Sequence, residues 1–319
     1  MEDIVLTPEE VSDMLKITKN TVYELIKRGE LKAYKVGKKF RVDLKDIEEY
    51  KNKSKNIYLG NDVQEVQVSE NPIKTSLPKT ETAVSNEFII CGQDSMLDIL
   101  SRKLEVRSNG MRILRSHMGS YNGLYALYHG NAQIATSHLW DGELNEYNIS
   151  YVKKLLPGTP AVIIHLACRM QGFYVAKRNP KKIFGWEDLK RNDITVVNRE
   201  KGSGTRVLLD EHLKILDIRG TEISGYDKEC TSHLAVASTV ARGEADLGFG
   251  NEMASLSVKN IDFIPIQKER YELVMKKEDT TKEVFQILLE VIKSKEFRLE
   301  LEGIGGYDLE EIGNVVVET

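Results

Sequence analysis

Thr18-Lys19-Asn20-Thr21-Val22-Tyr23-Glu24-Leu25-Ile26-Lys27-Arg28-Gly29-Glu30-Leu31 reads as one helix and its exit, and it decides the fold of the first fifty residues. Thr18 is a candidate N-cap, Val22, Leu25 and Ile26 form a buried stripe, and Gly29 is the expected stop. Lys19, Asn20, Thr21, Tyr23, Lys27 and Arg28 are left on the open faces. Upstream, Thr7-Pro8-Glu9-Glu10 supplies a capping hydroxyl, a proline at the first helical position and a glutamate three residues after the cap. Val11, Met14 and Leu15 follow at helical spacing, and Lys16-Ile17 makes a short turn between the two helices. Downstream, Leu31 to Val42 reads as a hairpin turning at Gly37-Lys38-Lys39, and Asp43 with Asp46 opens a third helix with Leu44, Ile47 and Tyr50 facing in. Two helices, a short turn and a hairpin make a winged helix-turn-helix.

Charge points the same way. From Lys16 to Arg41 there are nine Lys/Arg and two acids, a balance of +7. Residues 1–55 hold thirteen basic and eleven acidic residues, or +2, so the remainder carries −6 of the chain's net −4. A basic patch on an otherwise acidic protein is the electrostatic footprint of a partner such as double-stranded DNA. Lys38, Lys39 and Arg41 on the wing, with Lys27 and Arg28, are the expected phosphate contacts, and Lys19, Asn20, Thr21 and Tyr23 the expected groove contacts. The bland alternative is a three-helix interaction module with an ordinary solvated face.

At 319 residues the chain has room for two or three domains, and 41% apolar with 29% charged residues is the composition of a soluble globular protein. No apolar run reaches bilayer length, and Glu2 and Asp3 replace any signal-peptide apolar region, so a cytoplasmic location without a membrane is expected. Cys91, Cys168 and Cys230 are odd in number and far apart, which favours reduced thiols over a disulfide framework or a zinc site. The six histidines lack metal-hydrolase spacing.

The expected division is 1–53 for the DNA-binding domain, 54–86 for a linker and 87–319 for an α/β ligand-binding domain. The linker, rich in Lys, Asn, Ser, Thr, Glu and Pro, would span on the order of 30 Å if flexible. Phe88–Cys91, Met111–Leu114 and Gln133–Thr136 read as strands, alternating with helices that begin near Ser95 and Ser120. A second half repeats the order, with a strand at Ile194–Val197, the turn Lys201-Gly202-Ser203-Gly204-Thr205, and helices at Arg206–Leu216 and His233–Arg242. Gly243-Glu244-Ala245 echoes Gly130-Asn131-Ala132. Two similar lobes are expected, crossed near Val162–Ala176 and again near Phe263–Met275, with a cleft that closes on a ligand.

Ser95, Ser120 and Ser203-Gly204-Thr205 each put a hydroxyl at an expected helix N-terminus, where unpaired N–H groups and the helix dipole favour an anion. If all three face the cleft they form a donor-only cage for a small oxyanion. Each is also explained as a plain cap. Gly202-x-Gly204 matches neither the dinucleotide fingerprint nor the P-loop, and Ser203 is not in a nucleophile elbow, so no catalytic residue is assigned. Arg199 and Arg206 either meet the anion's charge or tie Asp94 or Asp141 across the cleft, Tyr226 either reaches the ligand or packs, Arg169 serves the hinge, and His138, Asp141 and Glu146, which as a group also read as a metal or acid/base site, are expected to structure the loop between the lobes.

Thr18 to Leu31 and Lys39-Phe40-Arg41 resemble the winged helices of excisionase-type and mercury-resistance-regulator-type proteins. Residues 88–275 resemble the periplasmic-binding-protein-like domain fused to helix-turn-helix modules in bacterial molybdate-related regulators. The resemblance is carried by Gly119-Ser120-x-x-Gly123-Leu124, His138-Leu139-Trp140-Asp141, Glu146-Tyr147-Asn148, Leu156-Pro157-Gly158, Asn198 to Asp210, Gly225-Tyr226-Asp227, His233 to Ala237 and Glu269 to Leu273. It implies a two-lobed type II binding-protein fold with molybdate or tungstate as effector and no other cofactor. The combined expectation is a non-enzymatic, dimeric, ligand-responsive transcriptional regulator, with Ser95, Ser120, Ser203, Gly204, Thr205, Arg206 and Tyr226 at the ligand. Its rivals are a molybdenum-cofactor biosynthesis enzyme or pterin-binding protein, and a DNA-architectural or recombination factor.

Overall fold

A computed structural model describes residues 5–28, 31–37, 39–47, 50 and 87–319. The chain forms two compact units that divide near residue 80.

The N-terminal unit contains β1 (Val5–Leu6), α1 (Pro8–Leu15), α2 (Lys19–Lys27), β2 (Tyr34–Val36), β3 (Lys39–Asp43) and a helical stretch, α3, at residues 44–47. The α1 cap is reciprocal: Glu10 N–H donates to Thr7 Oγ1 (3.3 Å) while Thr7 N–H donates to Glu10 Oε2 (2.7 Å). Lys16 ends α1 in the left-handed region (φ 53°), which turns the chain into Thr18, the cap of α2. The strands pair antiparallel in the order β1-β3-β2, and Val11, Val22, Leu25, Leu31, Val42 and Ile47 close the core. Met14, at helical spacing with Val11 and Leu15, is 42% exposed: Val11 and Leu15, four apart, face the core, and Met14 falls to the side. The expected stop at Gly29, the turn residue Lys38 and the linker at 54–86 lie outside the described residues.

The C-terminal unit opens with β4 (Glu87–Cys91), α4 (Met96–Arg107), β5 (Arg112–Ser116), α5 (Ser120–Tyr128) and β6 (Ile134–Ser137). A small hairpin, β7 (Trp140–Asp141) with β8 (Glu146–Tyr147), and α6 (Ile149–Leu155) lead into β9 (Ala161–Ala176). The second lobe holds β10 (Val196–Arg199), α7 (Gly204–Ile215), β11 (Glu229–Cys230), α8 (His233–Ala241), β12 (Leu247–Asn251) and α9 (Glu252–Leu256). The return strand β13 (Ile261–Lys276) precedes α10 (Glu283–Lys293), α11 (Lys295–Ile304) and β14 (Val315–Glu318). One sheet runs β11-β10-β12-β9-β13-β6-β4-β5, with β14 added on β9. Parallel pairs lie at both ends, and the antiparallel ribbon of β9 and β13 belongs to both lobes. The two expected crossings are thus the two halves of one hinge ribbon. Each lobe's sheet is covered by apolar clusters around Phe88 and Leu124 in the first lobe, and around Phe173 and Val236 in the second.

The internal echo is structural as well. Gly130 (φ 73°) and Gly243 (φ 74°) close α5 and α8 with the same left-handed turn, each N–H returning to a carbonyl three residues back. Among the described residues no helix is long and apolar enough to cross a membrane.

Gly172, on β9 opposite Pro265, lets the ribbon close: a Cβ there would lie 2.2 Å from the Ile264 carbonyl oxygen and 2.6 Å from the Phe263 ring. Gly172→Ala is expected to destabilise the chain by about 1–3 kcal/mol in urea denaturation. An unchanged midpoint would contradict this packing of the ribbon.

Candidate functional site

Side chains alternate along a strand, so one face of the hinge ribbon presents Arg169, Glu269 and Tyr271 together. Arg169 is 3% exposed, and its Nη1 and Nη2 each lie 2.5 Å from a carboxylate, Asp94 and Glu269 respectively. Its guanidinium carbon sits 3.9 Å from the Tyr271 ring centre. Glu269 also meets His138 Nδ1 (2.6 Å), and the Tyr271 hydroxyl meets Thr136 Oγ1 (2.7 Å). Burial alone would push the Glu269 carboxyl up, but Arg169 and His138 outweigh it and hold it down at about 2.

Above this network lies a cavity of about 20 Å³, walled by Gly92, Gln93, Met118, Gly119, Ser120, Thr136, His138, Arg169, Arg199, Ser203, His233 and Tyr271. Three helices begin at it: α5 with Gly119 and Ser120, α7 with its cap Ser203, and α8 with His233. Their free N–H groups and dipoles make the wall electropositive. Arg199, 2% exposed, adds a second guanidinium, held by Glu200 Oε1 (2.8 Å) and, across the cleft, by Gln93 Oε1 (2.6 Å). Burial, followed by Arg199, Arg169 and His138, keeps the His233 imidazole well below its ordinary range, so it is neutral at pH 7. Its Nδ1 has no hydrogen-bond partner among the described residues.

The lobes touch at this point. Tyr121 N–H donates to the Gly202 carbonyl (3.0 Å), and a Cβ on Gly119 would lie 2.8 Å from that oxygen, so the two turns meet only because Gly119 has no side chain. An open groove of about 790 Å³ continues from the cavity, sharing Gln93, Met118, Gly119 and His233 and adding Ser95, Asp98, Glu200 and Asn251.

Of the expected ligand residues, Ser120 and Ser203 are on the cavity wall, and Gly204 lies directly against the His138 ring. Ser95 is exposed in the groove, 3.1 Å from the Tyr307 hydroxyl. Thr205 faces Gln171 on another side of α7 (3.3 Å). Arg206 pairs with Asp210 and Glu229, and Tyr226 covers its guanidinium at 4.1 Å while donating to Asp210 (2.7 Å). These two pin α7 to its own lobe. Asp94 is tied by Arg169 rather than by Arg199 or Arg206. Asp141 does order its loop, accepting from Glu143, Leu144 and Ser150, whereas His138 belongs to the cavity. Gln93, Thr136, His233 and Tyr271 were not anticipated. The available signal was Arg169, the one Lys or Arg in the mostly apolar strand Ala161–Ala176.

On the N-terminal unit, Lys19, Asn20, Thr21, Tyr23, Lys27 and Arg28 are exposed along α2, and Lys39 is exposed on the wing. Lys19 is paired with Glu9 (2.9 Å), and Arg41 is half-buried with Nη1 on the Phe40 carbonyl (3.0 Å). Tyr23 packs edge-on against Phe40 (6.0 Å) with Lys35 over the same ring (5.0 Å), which fixes the wing against α2.

Glu269→Gln leaves the buried Arg169 short of one carboxylate and is expected to cost about 3–5 kcal/mol at pH 7. A depressed carboxyl contributes stability above its unfolded value and loses it as pH falls through the folded one. The gap between parent and variant should therefore close between pH 4.5 and about 2. A gap independent of pH would contradict the ion pair.

Comparison with known proteins follows this division. A helix-turn-helix domain model matches residues 5–55, and the PBP superfamily domain model matches residues 101–293. The chain is 40% identical over 315 residues to the Bacillus subtilis (strain 168) protein YvgK, spanning 98% of each. It is 62% identical over 112 residues to a Clostridium pasteurianum protein from the 5′ region of a 2Fe-2S ferredoxin gene, covering 35% of this chain and 99% of that one. A Clostridium perfringens protein solved with bound phosphate superimposes with a TM-score of 0.52 at 17% identity, covering 70% of this chain and 99% of that one. An ABC-type phosphate transport receptor from Vibrio cholerae gives 0.50 at 19% identity, with 70% and 99% coverage. The chain belongs to the PBP superfamily, carrying its binding-protein fold behind an N-terminal helix-turn-helix DNA-binding domain.

Proposed function

We propose that this protein is a one-component transcriptional regulator whose interlobe cavity binds a small oxyanion, molybdate or tungstate. The observation that carries the reading is the cavity wall: two buried guanidiniums, serine hydroxyls and three helix N-termini, with no carboxylate among its described residues. Such a wall offers hydrogen-bond donors in several directions and suits an ion that brings only acceptors. An ion without a proton at neutral pH meets that condition, which favours molybdate, tungstate or sulfate over hydrogenphosphate.

An anion held at once by the starts of α5 and α7 binds the closed arrangement more tightly than an open one and so shifts the population towards closure. Closure then alters the placement or pairing of the DNA-binding domains. A single small winged helix reads a short half-site, so a dimer on paired half-sites is the proposed DNA-bound form. In it α2 enters the major groove through Lys19, Asn20, Thr21 and Tyr23, while Lys27, Arg28, Lys38, Lys39 and Arg41 hold phosphates. A second reading is favoured by the adjoining groove of about 790 Å³: an organic anion such as a phosphorylated pterin, with its charged end in the cavity and its body in the groove.

Two measurements test the proposal. In calorimetry on the full chain stripped of ligand, molybdate and tungstate are expected to bind at least about tenfold more tightly than phosphate, and Ser120→Ala with Ser203→Ala to weaken both by at least about tenfold. Absence of binding by all inorganic oxyanions overturns the first reading and supports the second. Lys39→Ala with Arg41→Ala should weaken binding to all DNA sequences and reduce the salt slope by about 2. An unchanged slope would remove the wing from the interface.

A further inference from the structure

The other face of the hinge ribbon carries a cluster that the cavity does not use. On β9 and β13, His165 pairs with Glu272 and Cys168 with Arg270, whereas Ala167 pairs with Tyr271. Leu166 is therefore an extra residue, opposed to nothing between the adjacent Tyr271 and Glu272. Residues three apart on an unbroken strand point to opposite faces; one bulged residue between them puts His165 and Cys168 on the same face. Cys168 Sγ lies 3.7 Å from His165 Nε2, and His165 Nδ1 lies 3.4 Å from Glu272 Oε1. Glu272 is itself held by Asn148 Nδ2 and Arg270 Nε, both at 2.8 Å. The order is thiol, imidazole, carboxylate, with each group oriented by the next.

His165 and Glu272 are fully buried, while Cys168 is half-buried and opens onto a pocket of about 290 Å³ shared with Lys268, Arg270, Asp308, Glu310 and Glu311. The Cys168 backbone is fixed by two hydrogen bonds to the Asp308 backbone, each 2.9 Å, so the sulfur's position is set from both sides. Burial pulls the His165 imidazole down, but its hydrogen bonds to Cys168 and Glu272 outweigh this and push it up to about 9. The other thiols lack this setting: Cys91 is buried, which pushes its thiol up, and the Cys230 sulfur meets the Thr239 hydroxyl at 3.8 Å.

We propose that Cys168 is a nucleophilic thiol and that the pocket behind the hinge is a site of its oxidation by small hydroperoxides. The thiolate sulfur attacks the terminal peroxide oxygen, forming the S–O bond as the O–O bond breaks. The departing oxygen takes the electron pair and then the proton from His165 Nε2. The products are a Cys168 sulfenic acid and water, or an alcohol from an organic peroxide; sulfur loses two electrons and the peroxide gains them.

The test exposes the full chain to hydrogen peroxide with dimedone, which traps sulfenic acids, and follows all three cysteines by peptide mass spectrometry. Cys168 is expected to be trapped at least about tenfold faster than Cys230, which is similarly exposed. His165→Gln should bring the Cys168 rate down to that of Cys230 without changing the Cys230 rate. Equal rates at Cys168 and Cys230 in the unsubstituted protein overturn the proposal whether or not the variant folds. A folded variant that reacts as fast as the parent removes His165 from the mechanism.

Discussion

The ligand-binding unit is organised around one buried cation. Arg169 sits on the crossing strand β9 with almost no access to water, between Asp94 in the turn before α4 and Glu269 on β13. Taking these charges out of water costs several kcal/mol per ion, and only near-ideal geometry offsets it. That geometry has to be supplied by the fold. Tyr271 covers the guanidinium face, Tyr307 and the Met96 N–H satisfy Asp94, and His138 takes the second oxygen of Glu269. The cluster thereby ties the carboxyl ends of first-lobe strands to the hinge. Three helices begin at the cavity above it.

The hinge ribbon has two chemically different faces because of one extra residue. Without Leu166 out of register, His165 would share a face with Arg169, and the ionic cluster under the cavity would contain another titratable ring. With the bulge, Arg169, Glu269 and Tyr271 serve the cleft, and His165, Cys168, Arg270 and Glu272 are segregated behind it. Arg169, Glu269, His165 and Glu272 are all buried, and Arg169 Nε is left without a hydrogen-bond partner among the described residues.

Much of this was legible in the sequence. The caps at Thr7, Thr18 and Ser203 form as their local patterns require, because capping depends on a few neighbouring residues. The two lobes and both crossings were readable from strand–helix alternation, and the Gly130 and Gly243 turns were visible as an echo. The cavity was harder. Ser120 and Ser203 were found through their place at helix starts, but the same rule also selected Ser95, which faces open groove. Arg206 and Tyr226 were also expected at the ligand, but both turn to Asp210 on the outer side of α7, and that choice of partner is set by contacts within the second lobe. Thr136, His233 and Tyr271 reach the cavity only through sheet order and lobe closure, which depend on contacts far apart in sequence. The bulge at Leu166 left no local signature, since it shows only against the register of β13.

The proposed regulation requires an anion held between the lobes. A crystal structure of the full chain grown with tungstate, with anomalous scattering measured at a tungsten absorption edge, tests this most directly. The predicted result is one strong peak in the cleft within hydrogen-bonding reach of Ser120, Ser203 and Arg199. A cleft without a peak, or tungsten bound only on the outer surface, would contradict it.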